Sequence, residues 1–124
     1  MVIHVSAEDY LEAILVLQSR LGLVRSIDIV NELGYSKPSI SIAMKKLREN
    51  GYVNMSPEGL ITLTDKGEEI AERVYDRHTT LTRMFIILGV SSDVAAEDAC
   101  RVEHVLSEET FRKIQKFVKK FDDD

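Results

Sequence analysis

The apolar positions of the chain repeat at helical spacing for the first fifty residues, change period, and then return to it. Leu11, Ile14, Leu15 and Leu17 recur near every third or fourth place, which predicts a helix from Ser6 to about Leu21. Ser6 suits an N-cap, Glu8 and Asp9 complement the positive end of the helix dipole, and Gly22 stops it. Ile27, Val30 and Leu33 share one face of a second, shorter helix over Ser26 to Leu33, with Gly34 as its stop. Ser36 caps a third, in which Pro38 is tolerated in the first turn and Ile40, Met44 and Leu47 form the apolar stripe; Asn50-Gly51 ends it. Tyr52 to Ser56 and Leu60 to Leu63 read as two strands around a Ser56-Pro57-Glu58-Gly59 turn. Helical spacing resumes from Thr64 or Asp65 to about Leu88, again from Ser91 or Ser92 to about Leu106, and a last time from Ser107 to Phe121. The Asp122-Asp123-Asp124 tail reads as a frayed, solvated end.

Helix, helix, helix, hairpin is the order of a winged helix-turn-helix, and Gly34-Tyr35-Ser36 is the short glycine-containing turn such a motif uses. The fold class is therefore mainly α. The length of 124 residues suits one domain or two small subdomains. No apolar run approaches the roughly 18 residues of a membrane span. Glu8, Asp9 and Glu12 are incompatible with the apolar region of a signal peptide. The single cysteine, Cys100, excludes an intrachain disulfide framework and points to a cytoplasmic protein.

Sixteen Lys plus Arg against 21 Asp plus Glu give a net charge of -5, which taken alone argues against a nucleic-acid partner. The charges are segregated, however. Between Gly34 and Arg48 the charged residues are Lys37, Lys45, Lys46 and Arg48, all basic. Ser36, Ser39 and Ser41 lie toward the N-terminal end of the third helix, where a recognition helix presents side chains to base edges while lysines farther along reach phosphates. Arg25, just ahead of the second helix, and the Asn54 to Gly59 hairpin are candidate flanking backbone contacts. The candidate double-stranded DNA contacts are Arg25, Ser36, Lys37, Pro38, Ser39, Ser41, Ile42, Lys45 and Lys46. The alternative is a solvated lysine face on an ordinary surface helix.

A second group of residues points to a metal. Asp9 and Glu12, three apart, share a helix face, and Cys100, Glu103 and His104 stand at i, i+3 and i+4 on one later helix. A thiol, a carboxylate and an imidazole converging this way are a ligand set for a divalent transition metal, to which His78 adds a further nitrogen. Read singly, Cys100 is more often a small buried hydrophobe, and Asp9 a complement to the helix dipole. Burying Glu103 and His104 without partners is costly, which favours the metal.

Three segments carry a resemblance: Ser6-Ala7-Glu8-Asp9-Tyr10-Leu11-Glu12, Arg77-His78, and Glu97-Asp98-Ala99-Cys100-Arg101-Val102-Glu103-His104-Val105-Leu106-Ser107. Together they resemble the signature of the diphtheria toxin repressor and manganese transport regulator family of metal-dependent bacterial repressors, over essentially the whole chain. The resemblance implies a winged helix-turn-helix DNA-binding domain over 1–63 and a helical metal-binding and dimerisation domain over 64–124. It also implies a homodimer that binds palindromic operators upstream of metal-uptake genes when Fe²⁺ or Mn²⁺ is bound. By position, Asp9, Glu12, His78, Cys100, Glu103 and His104 match the family's metal-binding residues. Asp9 and Glu12 are those of the manganese-responsive branch, whereas Cys100 is the residue of the iron-responsive branch. A thiolate softens the site toward Fe²⁺, Co²⁺ or Zn²⁺, and Zn²⁺, Co²⁺ or Ni²⁺ are expected to bind in vitro. Thr82 and Ala96 stand where the iron branch has an ancillary glutamate and histidine, so a second site of that kind is not expected. The chain ends where longer members continue into an SH3-like domain. Ile42 replaces a glutamine of the iron branch, and its side chain suits a thymine methyl.

The expected mechanism is a population shift, in which one ion holds both ligand sets and fixes the separation of paired recognition helices near one DNA turn. Val102, Leu106, Phe111 and Val118 are candidates for the dimer interface, or equally for intramolecular core. Neither a membrane nor a small organic substrate is an expected partner. The rival readings are a winged-helix regulator that answers to a non-metal ligand or partner, and a metal hydrolase. An enzyme is not expected, because the chain has no nucleophile constellation and no glycine loop to cradle a substrate.

Overall fold

The computed structural model describes residues 5–123. Six helices and one hairpin succeed one another in the order α1 (Val5–Leu21), α2 (Ser26–Leu33), α3 (Lys37–Glu49), β1 (Val53–Met55), β2 (Ile61–Leu63), α4 (Asp65–Ile87), α5 (Ser92–Val102) and α6 (Glu108–Asp123). This is a mainly helical fold with a winged helix-turn-helix at its start. Two compact units are distinguished, the first ending at Arg73 and the second beginning at Val74, inside α4. No described helix is long and apolar enough to cross a membrane.

In the first unit the apolar stripes meet as the sequence pattern requires. Leu11, Ile14 and Leu17 of α1, Ile29 of α2, and Ile40, Met44 and Leu47 of α3 form one buried cluster with Val24, Tyr52, Val53, Ile61 and Ala71. Each fully buried side chain of this size contributes about 1.5–3 kcal/mol. Gly34 closes α2 in the left-handed region at φ 75°, donating its N–H to the Val30 carbonyl at 2.8 Å. Ser36 then caps α3, its Oγ accepting the Ser39 N–H at 3.3 Å, and Pro38 occupies the first turn. Asp28 returns to the start of α2, where its Oδ2 accepts the Arg25 N–H at 2.8 Å. Ser6 lies inside α1 rather than capping it, since the helix is already formed at Val5.

The hairpin pairs antiparallel, with Val53 opposite Leu63, Asn54 opposite Thr62 and Met55 opposite Ile61. Strands of three residues are too short to stand alone. They are joined to the first helices by a bridge between Val24 and Ile61, in which the Ile61 N–H donates to the Val24 carbonyl at 2.8 Å. Thr64 is the residue that starts α4: its Oγ1 accepts the Gly67 N–H at 3.1 Å and donates to the Gly51 carbonyl at 2.7 Å.

The second unit corrects two sequence expectations and decides between the two readings of Phe111 and Val118. First, α5 ends at Val102, not near Leu106, so Cys100 is helical whereas Glu103 caps the helix and His104 stands in the turn beyond. The apolar spacing of Val102, Val105 and Leu106 continues past that point, but Arg77 of α4 occupies two carbonyls of the turn. Second, Phe111 and Val118 are buried within this one chain and belong to its core. Its exposed large apolar side chains include Leu88, Val94, Val105, Phe117 and Phe121. Third, α6 runs to Asp123, and Asp122 is not frayed: both its carboxylate oxygens accept from Arg83, at 2.6, 2.9 and 3.2 Å. Asp124, the end of the expected tail, lies outside the described residues.

Candidate metal centre and DNA-reading helix

The third helix owes its accessibility to its own pattern. Ile40, Met44 and Leu47 turn one stripe into the core, which leaves the remaining positions facing outward. Arg25, Ser36, Lys37, Pro38, Ser39, Ser41, Ile42, Lys45 and Lys46 are all exposed, Ile42 at 57%. The acid nearest to them on α3 is Glu49, in its last turn. In a chain of net charge -5 this surface is a concentrated source of positive potential. An exposed apolar Ile42 among serines and lysines adds a group with no use for water.

Of the six candidate ligands, two stand on α1. Asp9 and Glu12 are both half-buried, one helical turn apart on the same face. Their neighbour Tyr10 packs edge-on against Tyr35, ring centroids 5.9 Å apart. Burial, with the Tyr35 and Asp9 charges adding to it, pushes the Tyr10 hydroxyl above its ordinary pKa. Beside them Glu8 is buried, its Oε2 accepting from Arg73 Nη2 at 2.7 Å.

The other four ligands belong to the second unit and gather around Glu103. This carboxylate is 1% exposed. Its Oε2 lies 2.9 Å from His78 Nδ1, and its Oε1 lies 3.4 Å from His104 Nε2. Cys100, exposed on α5, brings its Sγ within 4.8 Å of a Glu103 oxygen. Among the described residues Oε1 of Glu103 has no hydrogen-bond partner. A buried carboxylate oxygen in that condition costs several kcal/mol unless a cation or donor meets it. Two imidazoles and a thiol close to one buried carboxylate form a mixed N, O and S donor set, which fits a divalent transition metal and not Ca²⁺ or Mg²⁺.

A further member of this neighbourhood, Arg77, has no local sign of its role in the sequence beyond its place in the Arg77-His78 segment. Arg77 is buried and holds the turn that carries Glu103 and His104. Its partners lie 26 and 29 positions farther along the chain, so no local pattern announces them.

Comparison with known proteins places both halves. The family described as "Iron dependent repressor, N-terminal DNA binding domain" matches residues 3–60, and "Iron dependent repressor, metal binding and dimerisation domain" matches residues 64–124. An HTH-type transcriptional regulator of Methanocaldococcus jannaschii is 36% identical over 121 residues, covering 95% of this chain and 96% of that one. The transcriptional regulator MntR of Escherichia coli is 34% identical over 113 residues, covering 91% of this chain and 73% of that one. Among solved structures, a manganese-dependent transcriptional repressor in complex with manganese is similar with TM-score 0.83 and 29% identity, covering 91% of this chain and 52% of that one. The manganese regulator SloR is similar with TM-score 0.81 and 27% identity over 91% of this chain and 53% of that one. The chain thus spans about half the length of these solved relatives.

Proposed function

Because the chain belongs to the iron-dependent repressor and MntR family of metal-dependent transcriptional repressors, we propose that it acts as a cytoplasmic homodimer which binds palindromic operators of metal-homeostasis genes when Fe²⁺ or Mn²⁺ is bound. The observation that carries this reading is the buried Glu103, amid His78, His104 and Cys100, with an oxygen that has no hydrogen-bond partner among the described residues. The basic, exposed α3 in an acidic chain supplies the other half.

In this proposal residues 1–63 bind DNA and 64–124 bind metal and dimerise. Asp9 and Glu12 hold the ion from the first domain, and His78, Cys100, Glu103 and His104 hold it from the second. A bound divalent cation would supply positive charge to the buried Glu103 carboxylate and coordination bonds to these donors. An ion held by both ligand sets would shift the population toward the arrangement in which they converge. The Cys100 thiolate favours Fe²⁺ over Mn²⁺, whereas Asp9 and Glu12 suit both. Ser36, Pro38, Ser39, Ser41 and Ile42 face the base edges, and Arg25, Lys37, Lys45 and Lys46 the phosphates. Paired α3 helices in a two-fold dimer then engage half-sites roughly 34–36 Å apart.

Electrophoretic mobility shift on a palindromic operator checks this reading. Retardation is expected with Fe²⁺ or Mn²⁺ and lost on chelation. Retardation that survives chelation unchanged would leave a winged-helix regulator of another kind.

A further inference from the structure

The turn that presents Glu103 and His104 is held by a side chain that is itself no ligand. Helix α5 stops at Val102 and α6 starts at Glu108. The carbonyls at the end of a helix have no acceptor role within it and need outside donors. Arg77 supplies donors to the cap residue and to the turn beyond it. Its Nη1 donates to the Glu103 carbonyl at 3.1 Å and to the Leu106 carbonyl at 2.8 Å, and its Nη2 donates to Glu108 Oε2 at 3.1 Å. The guanidinium carbon stands 5.1 Å from the centre of the Phe111 ring. One planar group thus ties both ends of the turn, and the first residue of α6, to α4.

The next residue along α4, His78, meets the Glu103 carboxylate. Glu103 is therefore gripped twice from one helix, its main chain by Arg77 and its side chain by His78. The arrangement has a cost that marks it as specific: Nε of Arg77 is buried and has no hydrogen-bond partner among the described residues. A guanidinium placed only to neutralise Glu108, an exposed residue, would sit at the surface with its donors in water. Here it is turned inward to reach carbonyls, at the expense of one donor.

We propose that Arg77 is a positioning residue of the metal centre. By holding the Glu103 and Leu106 carbonyls it fixes the path of the turn, and with it the directions of the Glu103 carboxylate and the His104 ring. A turn already set does not have to be ordered by the ion, so affinity and coordination geometry both depend on Arg77. Lysine cannot replace it, because a single ammonium on a flexible stem lacks the rigid fork that spans two carbonyls and a carboxylate. The inference rests on the metal reading of Glu103, His104, His78 and Cys100, and adds to it a residue that never touches the ion.

Co²⁺ titration of the full chain tests it, since the visible absorption of bound Co²⁺ and its thiolate charge-transfer band report geometry as well as occupancy. In Arg77→Lys, with helix content checked by circular dichroism in the absence of metal, Co²⁺ affinity is expected to fall by about 10- to 100-fold with displaced visible bands. Arg83→Lys, which alters another ion-paired arginine of α4, should keep wild-type affinity and spectrum. A folded Arg77→Lys protein with wild-type affinity and bands overturns the positioning role while leaving the metal site standing. Wild-type protein that takes up no Co²⁺ overturns the metal reading, and this proposal with it. Should Arg77→Lys not fold, Glu108→Ala, which removes the exposed acceptor of the clamp together with its Arg112 ion pair, should weaken Co²⁺ binding to a smaller extent. Unchanged affinity in that variant overturns the role equally.

Discussion

Gly67 and Tyr52 meet backbone to backbone: a β-carbon on Gly67 would collide with the Tyr52 carbonyl oxygen. That carbonyl is not at liberty to swing aside, because it accepts the Thr64 N–H at 3.1 Å, in the capping turn that starts α4. The glycine lets the first turn of α4 lie directly on the chain entering the wing.

Gly67→Ala therefore sets two effects against each other. Alanine is better than glycine in a helix by about 1 kcal/mol. Forcing an extra methyl against a fixed backbone costs typically about 1–3 kcal/mol. Steric overlap with backbone falls at the upper end of that range, so we expect a net loss of about 1 kcal/mol or more in urea unfolding. An alanine variant of wild-type or higher stability would refute the close approach.

Glu103→Gln separates stability from function. The change keeps volume and a hydrogen bond to His78 but removes a buried charge, so the metal-free protein should be as stable as wild type or more so. Metal affinity should fall by at least the roughly 10- to 100-fold that loss of an outer-sphere partner costs. Calorimetric titration and thermal melts read the two separately, and loss of both together would mean that Glu103 serves the fold.

Lys45→Ala with Lys46→Ala removes two exposed charges of α3. Stability should stay within about 0.5 kcal/mol. If both lysines meet phosphates, the slope of log affinity against log salt should shrink by about 2, and binding should weaken alike for operator and unrelated DNA. An unchanged slope would move the phosphate contacts elsewhere.

Arg83, hydrogen-bonded to Asp122, holds that carboxylate below its ordinary pKa of 3.8, and the guanidinium is raised in return. A depressed folded value means that the contribution to stability is fully present above the unfolded pKa and is lost as pH falls through the folded one. Asp122→Asn should then be less stable than wild type at pH 7, by a small margin for an exposed pair. The two proteins should converge as the pH falls below the depressed value. Thermal melts across pH 2 to 7, a range of about five units around the ordinary carboxylate value, check the convergence.

Which parts of this molecule its sequence discloses depends on where the governing information lies. The ends of α2 and α3 are local: Gly34 must be left-handed, and Ser36 caps the third helix, so both boundaries are read correctly from adjacent residues. The end of α5 is not local. Val102, Val105 and Leu106 keep helical spacing, while the donors that meet the carbonyls of Glu103 and Leu106 come from Arg77, far upstream. Asp122 misleads for the same reason, because its partner Arg83 lies 39 positions away. Phe111 and Val118 are indistinguishable in sequence from interface residues, since a stripe does not state what covers it. The charge separation around α3 was legible throughout, being a property of composition along one short stretch.

The bridge between Val24 and Ile61 makes the wing a three-legged support rather than a flap. Its base is pinned beside the start of α2, while the loop of Ser56, Pro57, Glu58 and Gly59 projects beyond the last paired residues, Met55 and Ile61. Extra residues at that tip would lengthen the projection without disturbing its footing. The reach of the wing and the placement of the reading helix can thus vary independently, like the blade and handle of one tool.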